Sequence, residues 1–175
     1  SSSFSADENQ LSIGAVAATD PEGDTLTFSV SGSDLSITSS GVLTFATAPD
    51  YETKSSYSAT VTASDGTNAV TQSITVNVNN LNEAPIFSSA SSFSAEENQL
   101  SIGTVTATDP EGDTLTFSVS GSDLSITSDG VLTFKSAPDY ETKSSYTATV
   151  TVSDGSTSAS QIITVTVLDV NEAPI

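Results

Sequence analysis

The chain has 175 residues, of which 22 are acidic and 3 are basic, giving a net charge of −19. That sign repels phosphate backbones and anionic headgroups, which excludes nucleic acid as a partner, and no apolar run nears the ~20 residues that direct membrane insertion by a helix needs. His, Cys, Met and Trp are absent, so the usual zinc, copper and iron–sulfur ligands are missing, as is the base of Ser–His–Asp or Cys–His catalysis.

High charge with few aromatics is also the signature of disorder, but 35% of the residues are hydrophobic and they alternate regularly with polar ones. In chain order, alternation predicts a strand around Phe4 and a second through Leu11, Ile13, Val16 and Ala18. The second changes phase at Gly14-Ala15. A third runs through Leu26, Phe28 and Val30, and a fourth is Leu35-Ser36-Ile37 after the turn Ser31 to Asp34. Gly41 opens a fifth, Val42 to Phe45, with Leu43 and Phe45 facing inward. Tyr57, Ala59, Val61 and Ala63 mark a sixth, and Ile74, Val76 and Val78 a seventh. No segment holds a helical period, so the expectation is an all-β, antiparallel sandwich of seven short strands.

Shifting the sequence by 89 positions pairs residues 1–86 with 90–175 and gives 67 identities in 86 pairs. The chain is therefore a tandem duplication, with predicted domains 1–84 and 85–175. The N-terminal Ser1-Ser2-Ser3-Phe4 has no signal-peptide pattern, and a piece of a longer protein is expected.

The carboxylates gather in the loops between the strands. The first copy has Asp7-Glu8-Asn9, Asp20-Pro21-Glu22-Gly23-Asp24, Asp50-Tyr51-Glu52, Asp65-Gly66 and Asn80 to Glu83. The second has Glu96-Glu97-Asn98, Asp109 to Asp113, Asp139-Tyr140-Glu141, Asp154-Gly155 and Asp169 to Glu172. Alternate loops of an up-and-down chain meet at one of two poles. The loops after the second and sixth strands share one pole, and the Asp-Glu-Asn and Asp-Tyr-Glu segments meet beside the linker at the other. Carboxylates so crowded repel each other unless neutralised. An all-oxygen set of this density points to Ca²⁺, which takes six to eight oxygens, rather than to Mg²⁺, which keeps several waters. The Asp-x-Glu-Gly-Asp spacing lacks the helices and twelfth-position Glu of an EF-hand. Glycoside hydrolysis by paired carboxylates would need a sugar groove, usually lined with aromatics. The expectation is a non-enzyme.

These motifs, in this order and twice over, resemble cadherin repeats, in particular the bacterial cadherin-like repeats of large surface adhesins. Glu8-Asn9 and Glu97-Asn98 match the family's x-E-N, and Asp20-Pro21-Glu22 and Asp109-Pro110-Glu111 match D-x-D with Glu in the second acidic place. Asp50-Tyr51-Glu52 and Asp139-Tyr140-Glu141 stand for L-D-R-E, and Ala63-Ser64-Asp65 and Val152-Ser153-Asp154 for A-x-D. Asn80 to Pro85 and Asp169 to Pro174 are shortened forms of the D-x-N-D-N-x-P linker.

The resemblance implies two seven-stranded Greek-key, Ig-like sandwiches set end to end, with Ca²⁺ between them. The junction ligands it implies are Glu8, Asp50 and Glu52, then Asn80, Asn82 and Glu83 of the linker, with the carbonyls of Leu81 and Ala84. Asp109, Glu111, Asp113 and Asp154 of the second repeat complete the set, and Glu111 bridges two ions. Half-sites follow at Asp20, Glu22, Asp24 and Asp65, and at Glu97, Asp139, Glu141, Asp169, Asn171 and Glu172. Asn80 replaces the family's linker Asp and removes one charge there, whereas Asp169 keeps it.

The function implied is a Ca²⁺-stiffened extracellular stalk at the cell surface, whose partners are neighbouring repeats of the same chain. Two alternatives stand beside it. One is direct adhesion by homophilic self-association or by a surface glycan, for which Tyr51 and Tyr140 are the aromatic candidates. The other is an auxiliary module of a secreted polysaccharide-acting enzyme.

Overall fold

A computed structural model describes residues 2–173. They are all β, with no helix among the described residues, and they divide into two compact units, Ser1–Leu81 and Asn82–Ile175. Pro174, the last proline of the second linker motif, lies outside the described residues.

The first unit holds seven strands: β1 (Ser3–Asp7), β2 (Ser12–Ala15), β3 (Thr27–Val30), β4 (Leu35–Ile37), β5 (Val42–Phe45), β6 (Ser56–Ser64) and β7 (Ala69–Asn79). They form two sheets, ordered β1-β7-β6-β3 and β2-β5-β4. The inward face of each strand is the apolar one, because period-2 alternation must place one set of side chains on each face. Leu43, Phe45, Val61, Ile74, Val76 and Val78 are buried in one cluster with Ala6, Val16 and Leu35, while the intervening Val42 is exposed. Each fully buried Leu, Ile or Val contributes about 1.5–3 kcal/mol relative to exposure. The phase change expected at Gly14-Ala15 is a register shift between Ser12 and Gly14 where β2 pairs with β5, and this bulge turns Ile13 and Val16 to the same side.

One pairing departs from the antiparallel expectation: β1 runs parallel to β7, with Ser3 opposite Thr75 and Asp7 opposite Asn79. The reason is parity. Seven strands that alternate in direction leave the first and the last pointing the same way, so these two can meet only in parallel. The consequence is local and chemical, since the end of β1 and the end of β7 finish side by side. The acidic residue after β1 is thus delivered to the segment that leaves the domain. β7 is also longer than the sequence predicts, because its first five residues, Ala69 to Ser73, are exposed and leave no alternating mark.

The second unit repeats the plan with β9 (Ser92–Glu96), β10 (Ser101–Thr104), β12 (Thr116–Val119), β13 (Leu124–Ile126), β14 (Val131–Phe134), β15 (Ser145–Ser153) and β16 (Ser158–Leu168). Its sheets are β12-β15-β16-β9 and β10-β14-β13, and β9 is again parallel to β16. It adds a short ribbon that the sequence did not announce, β8 (Ile86–Phe87) paired antiparallel with β11 (Ala107–Thr108). Each unit therefore has an entry pole, formed by the loops after its second and sixth main strands. Its exit pole is formed by the loops after the first and fifth and by the outgoing chain.

Gly41 and Gly130 are held where no other residue fits. Their φ angles are +90° and +88°, and a Cβ would lie 2.3 Å from the Val16 carbonyl oxygen and 2.2 Å from that of Val105. The Val16 N–H donates to the Gly41 carbonyl at 2.8 Å, so the two backbones cannot separate without losing that bond. Gly41→Ala is expected to cost more than about 1 kcal/mol and to lower the transition of the first repeat by at least about 4–8 °C. Calorimetry of the whole chain checks this, and a variant melting with the parent would contradict it.

Candidate metal centre

At the exit pole of the first repeat, the parallel β1–β7 pair continues past its last register through the Glu8 N–H, which donates to the Asn79 carbonyl at 3.2 Å. Glu8 itself is only 1% exposed. One carboxylate oxygen accepts from the Tyr51 N–H and the other from the Leu81 N–H, both at 2.7 Å. A carboxylate so deeply placed loses its water, and these hydrogen bonds take the water's place. Glu8 thereby ties the β5–β6 loop and the outgoing linker to one anion. The next residue, Asn9, stands at φ +61°, a left-handed conformation that Asn tolerates better than most residues, and its N–H closes onto the Pro49 carbonyl at 2.9 Å. The second repeat repeats the device. Glu97 is 3% exposed and accepts from the Tyr140 and Val170 N–H groups at 2.8 Å each.

The two exit poles differ in charge at the first linker position, Asn80 against Asp169. In the second repeat, ligand oxygens of Glu97, Glu141 and Asp169 all lie within 4.8 Å of one another. The carboxyl of Glu141 is drawn down by its own backbone N–H. Partial desolvation and the charges of Glu97, Asp169 and Glu172 outweigh this and hold it above its ordinary value of 4.5. In the first repeat Asn80 stands in place of the Asp, and its amide donates to Glu52 at 3.0 Å. A neutral donor there takes up the carboxylate that a third anion would repel.

Asp50 and Asp139 belong to these poles but stand differently. Asp50 accepts from the Thr53 N–H and hydroxyl at 3.0 Å each, and Asp139 accepts from Thr142 at 3.1 and 2.9 Å. Both carboxylates close their own turn, and Asp139 stays outside the three-carboxylate group. The side chains of Tyr51 and Tyr140 are 36% and 37% exposed. Asn171 keeps its amide on the Glu172 carbonyl at 3.4 Å, and the Glu172 carboxylate accepts from Asn98 at 2.8 Å.

The entry poles are organised by Asp rather than Glu. One oxygen of Asp109 accepts from the Glu111 and Asp113 N–H groups at 3.1 and 3.0 Å, which folds the loop around it and leaves the Asp113 side chain exposed. Its other oxygen is buried and accepts no hydrogen bond among the described residues. Asp154 accepts from the N–H groups of Ser156 and Thr157, the Thr157 hydroxyl and the Asn82 amide, the last at 2.9 Å. The Thr157 hydroxyl, followed by the Asn82 amide, holds its carboxyl well below the usual carboxylate range. Glu83 donates its N–H to Glu111 at 3.4 Å, and its carbonyl accepts from the Thr157 hydroxyl at 3.0 Å. Asn82 and Glu83 are thus fastened to the second repeat, while Asn80 and Leu81 are fastened to the first. Ala84 is exposed and offers only its backbone.

The entry pole of the first repeat follows the same pattern. Asp20 accepts from the Glu22 and Asp24 N–H groups at 2.9 and 3.0 Å, and Asp65 from those of Thr67 and Asn68 at 2.7 and 2.5 Å. The N–H groups of Asn68 and then Thr67 lower the Asp65 carboxyl below its ordinary value. Thr157, which grips both Asp154 and Glu83, is a residue the sequence reading passed over. The mark it leaves is a mismatch between the copies, Asn68 against Thr157.

Among the described residues, no protein cation relieves these poles. Lys54 and Lys143 pair with Asp34 and Asp123 on the sandwich flank at 2.6 and 2.5 Å, each 4.2 Å above a tyrosine ring. Lys135 donates to the Gly121 carbonyl at 3.4 Å, which accounts for all 3 basic residues. The donor set is carboxylate, amide and carbonyl oxygen throughout, with a buried, unpartnered anionic oxygen on Asp109. These residues fit a hard divalent cation.

Residues 1–79 and 82–166 match the bacterial Ig domain family, and the chain belongs to it, as two copies in tandem. The fold is that of cadherin repeats. It is similar to the EC1-2 fragment of human protocadherin-24, with a TM-score of 0.67 and 21% identity over 97% of this chain and 95% of that one. It is also similar to Drosophila N-cadherin EC1-4, with a TM-score of 0.67 and 20% identity over 98% of this chain and 48% of that one. Among curated proteins, Chitinase A of Pseudoalteromonas piscicida is 35% identical over 161 residues, which is 90% of this chain and 20% of that enzyme. The chain thus spans about a fifth of the length of this relative.

Two substitutions separate anchoring from crowding. Glu8→Ala leaves two part-buried N–H groups without their acceptor and is expected to cost about 2–5 kcal/mol, with or without Ca²⁺, in a melting experiment. Glu141→Gln is expected to raise the melting temperature of the Ca²⁺-free chain at pH 7. The folded-state value of Glu141 lies above its unfolded value, so its ionised form opposes folding above that value and ceases to as the pH falls through it. The gain of the variant therefore fades by about pH 4. A Glu141→Gln chain that is less stable than the parent in EDTA at pH 7 would contradict the repulsion.

Proposed function

We propose that this tandem repeat is a calcium-stiffened, non-catalytic spacer of a secreted or cell-surface protein. The observation that carries the reading is the trio Glu97, Glu141 and Asp169, three carboxylates within 4.8 Å of one another while every lysine is committed elsewhere. Calcium, when bound, supplies the charge that turns this repulsion into cross-linking. At the exit poles the holding residues are Glu8, Asp50, Glu52 and Asn80 with the Leu81 carbonyl, and Glu97, Asp139, Glu141, Asp169, Asn171 and Glu172. At the entry poles they are Asp20, Glu22, Asp24 and Asp65, and Asn82, Glu83, Asp109, Glu111, Asp113 and Asp154 with the Ala84 carbonyl. The linker belongs to both sets, since the peptide bond from Leu81 to Asn82 joins a residue anchored on Glu8 to one anchored on Asp154.

The spacer has two settings. As a stalk in a surface adhesin, it holds a distal domain away from the cell. The likeness to Chitinase A favours the second setting, an auxiliary module in a secreted polysaccharide-acting enzyme. Retention on chitin beads distinguishes a glycan-binding module from a passive spacer, and the spacer passes through.

Chelation tests the calcium reading. Sites that bind only the folded state stabilise it by about 2.7 kcal/mol each at 100 times Kd, and extracellular modules bind near 10⁻⁴–10⁻³ M. EDTA is therefore expected to lower the melting temperature by several degrees from its value in 10 mM Ca²⁺ and to broaden the end-to-end distances seen in small-angle scattering. Melting and dimensions indifferent to chelation would overturn the proposal.

A further inference from the structure

The linker is fastened by protein groups on both sides of a single peptide unit. Upstream, the Leu81 N–H donates to Glu8 at 2.7 Å and the Asn80 amide donates to Glu52 at 3.0 Å. Downstream, Asn82 begins a run that is seated on the second repeat. Its amide donates to Asp154 at 2.9 Å and to the Thr157 hydroxyl at 3.2 Å. The Glu83 N–H donates to Glu111 at 3.4 Å. Pro85 is buried, Ile86 and Phe87 pair with Thr108 and Ala107, and Phe87 packs against the core cluster. The Ser88 and Ser89 N–H groups donate to the Thr106 carbonyl at 2.9 and 3.2 Å.

Thr157 is the residue that touches both linker positions at the head of this run. A threonine hydroxyl has one hydrogen and two lone pairs. While it accepts from Asn82, its own hydrogen faces the Glu83 carbonyl at 3.0 Å and Asp154 at 2.5 Å. Closing the β15–β16 loop does not require that hydroxyl. Asp154 already accepts from the Ser156 and Thr157 N–H groups at 2.5 and 2.6 Å. The first repeat closes the same loop through the Thr67 and Asn68 N–H groups on Asp65, with Asn68 in the place of Thr157 and its amide turned to that same Asp65 at 3.4 Å. The hydroxyl is therefore an addition of the second repeat, and what it adds is a grip on the linker.

We propose that Thr157 is a positioning residue that seats Asn82 and Glu83 on the second repeat. The joint of the linker is thereby confined to the two soft dihedrals that flank the Leu81–Asn82 peptide, ψ of Leu81 and φ of Asn82. A hinge needs no more than a few such torsions. The fastenings join protein group to protein group, so the inference stands whether or not the poles bind calcium. On the calcium reading it adds one consequence: a cation would have two torsions to immobilise rather than those of the whole linker, and each residue fixed costs conformational entropy.

The test is ¹⁵N relaxation of the intact chain in EDTA, read at the Asn82 and Glu83 amides. In the parent both are expected to have order parameters near about 0.85, as rigid backbone does, and Thr157→Val, which keeps the shape and removes the hydroxyl, is expected to bring them below about 0.6. The Gly155 and Ser156 amides of the loop are expected to keep their parent values in that variant. Thr157→Ser, which restores a hydroxyl, is expected to restore the order, and Asn82→Ala is expected to loosen Glu83 with Thr157 intact. Five results would each overturn the proposal: mobile Asn82 and Glu83 amides in the parent, a rigid linker in Thr157→Val, loosening of Gly155 and Ser156 as great as that of the linker, Thr157→Ser behaving like Thr157→Val, or a rigid Glu83 in Asn82→Ala.

Discussion

A buried glutamate with both oxygens on backbone N–H groups is the interaction on which each exit pole depends. Glu8 and Glu97 reach that position because an odd number of alternating strands makes the first strand parallel to the last. Parallel pairing carries the acidic end of the first strand to the root of the linker, where an antiparallel neighbour would have carried it to the other pole. Once buried, the carboxylate accepts from the Tyr51 and Leu81 N–H groups, or from those of Tyr140 and Val170, which replace its lost water. One anion therefore fixes the loop and the departing chain together, and the other acidic side chains are arranged around a rigid point.

Around that point the two copies have diverged in charge. The second exit pole sets Asp169 beside Glu97 and Glu141, whereas the first has Asn80, whose amide satisfies Glu52 directly. The exchange replaces a repulsive contact by an attractive one at that position. At the entry poles the balance is different again. Asp109 and Asp154 each have one oxygen held by N–H groups of their own loops, and the other Asp109 oxygen is buried. Side chains fixed in advance in this way lose less freedom on meeting any partner.

Most of this organisation was legible in the sequence because it is written in local patterns. Period-2 alternation placed Leu43 and Phe45 inward, and the break at Gly14-Ala15 marked the bulge. The order of acidic motifs assigned each to its pole. What was not legible is what local pattern does not encode. The parallel pairing of β1 with β7 joins residues some 70 positions apart. The exposed start of β7 has no apolar face, and the two-residue ribbon β8–β11 is too short to show a period. Which carboxylate oxygens are already used, as on Asp50 and Asp139, depends on the turn each one closes.

The central claim is that the glutamate-anchored poles are calcium sites, and an amide NMR titration of the intact chain reads it most directly. With added CaCl₂, the Tyr140 and Val170 amides, which donate to Glu97, should move along saturable curves, as should those of Tyr51 and Leu81. Equal concentrations of Mg²⁺, which dehydrates reluctantly, should move them little, and the amides of the Lys54–Asp34 and Lys143–Asp123 flank should stay still. Shifts that grow linearly with salt, equal for the two cations and spread over the whole chain, would contradict the account.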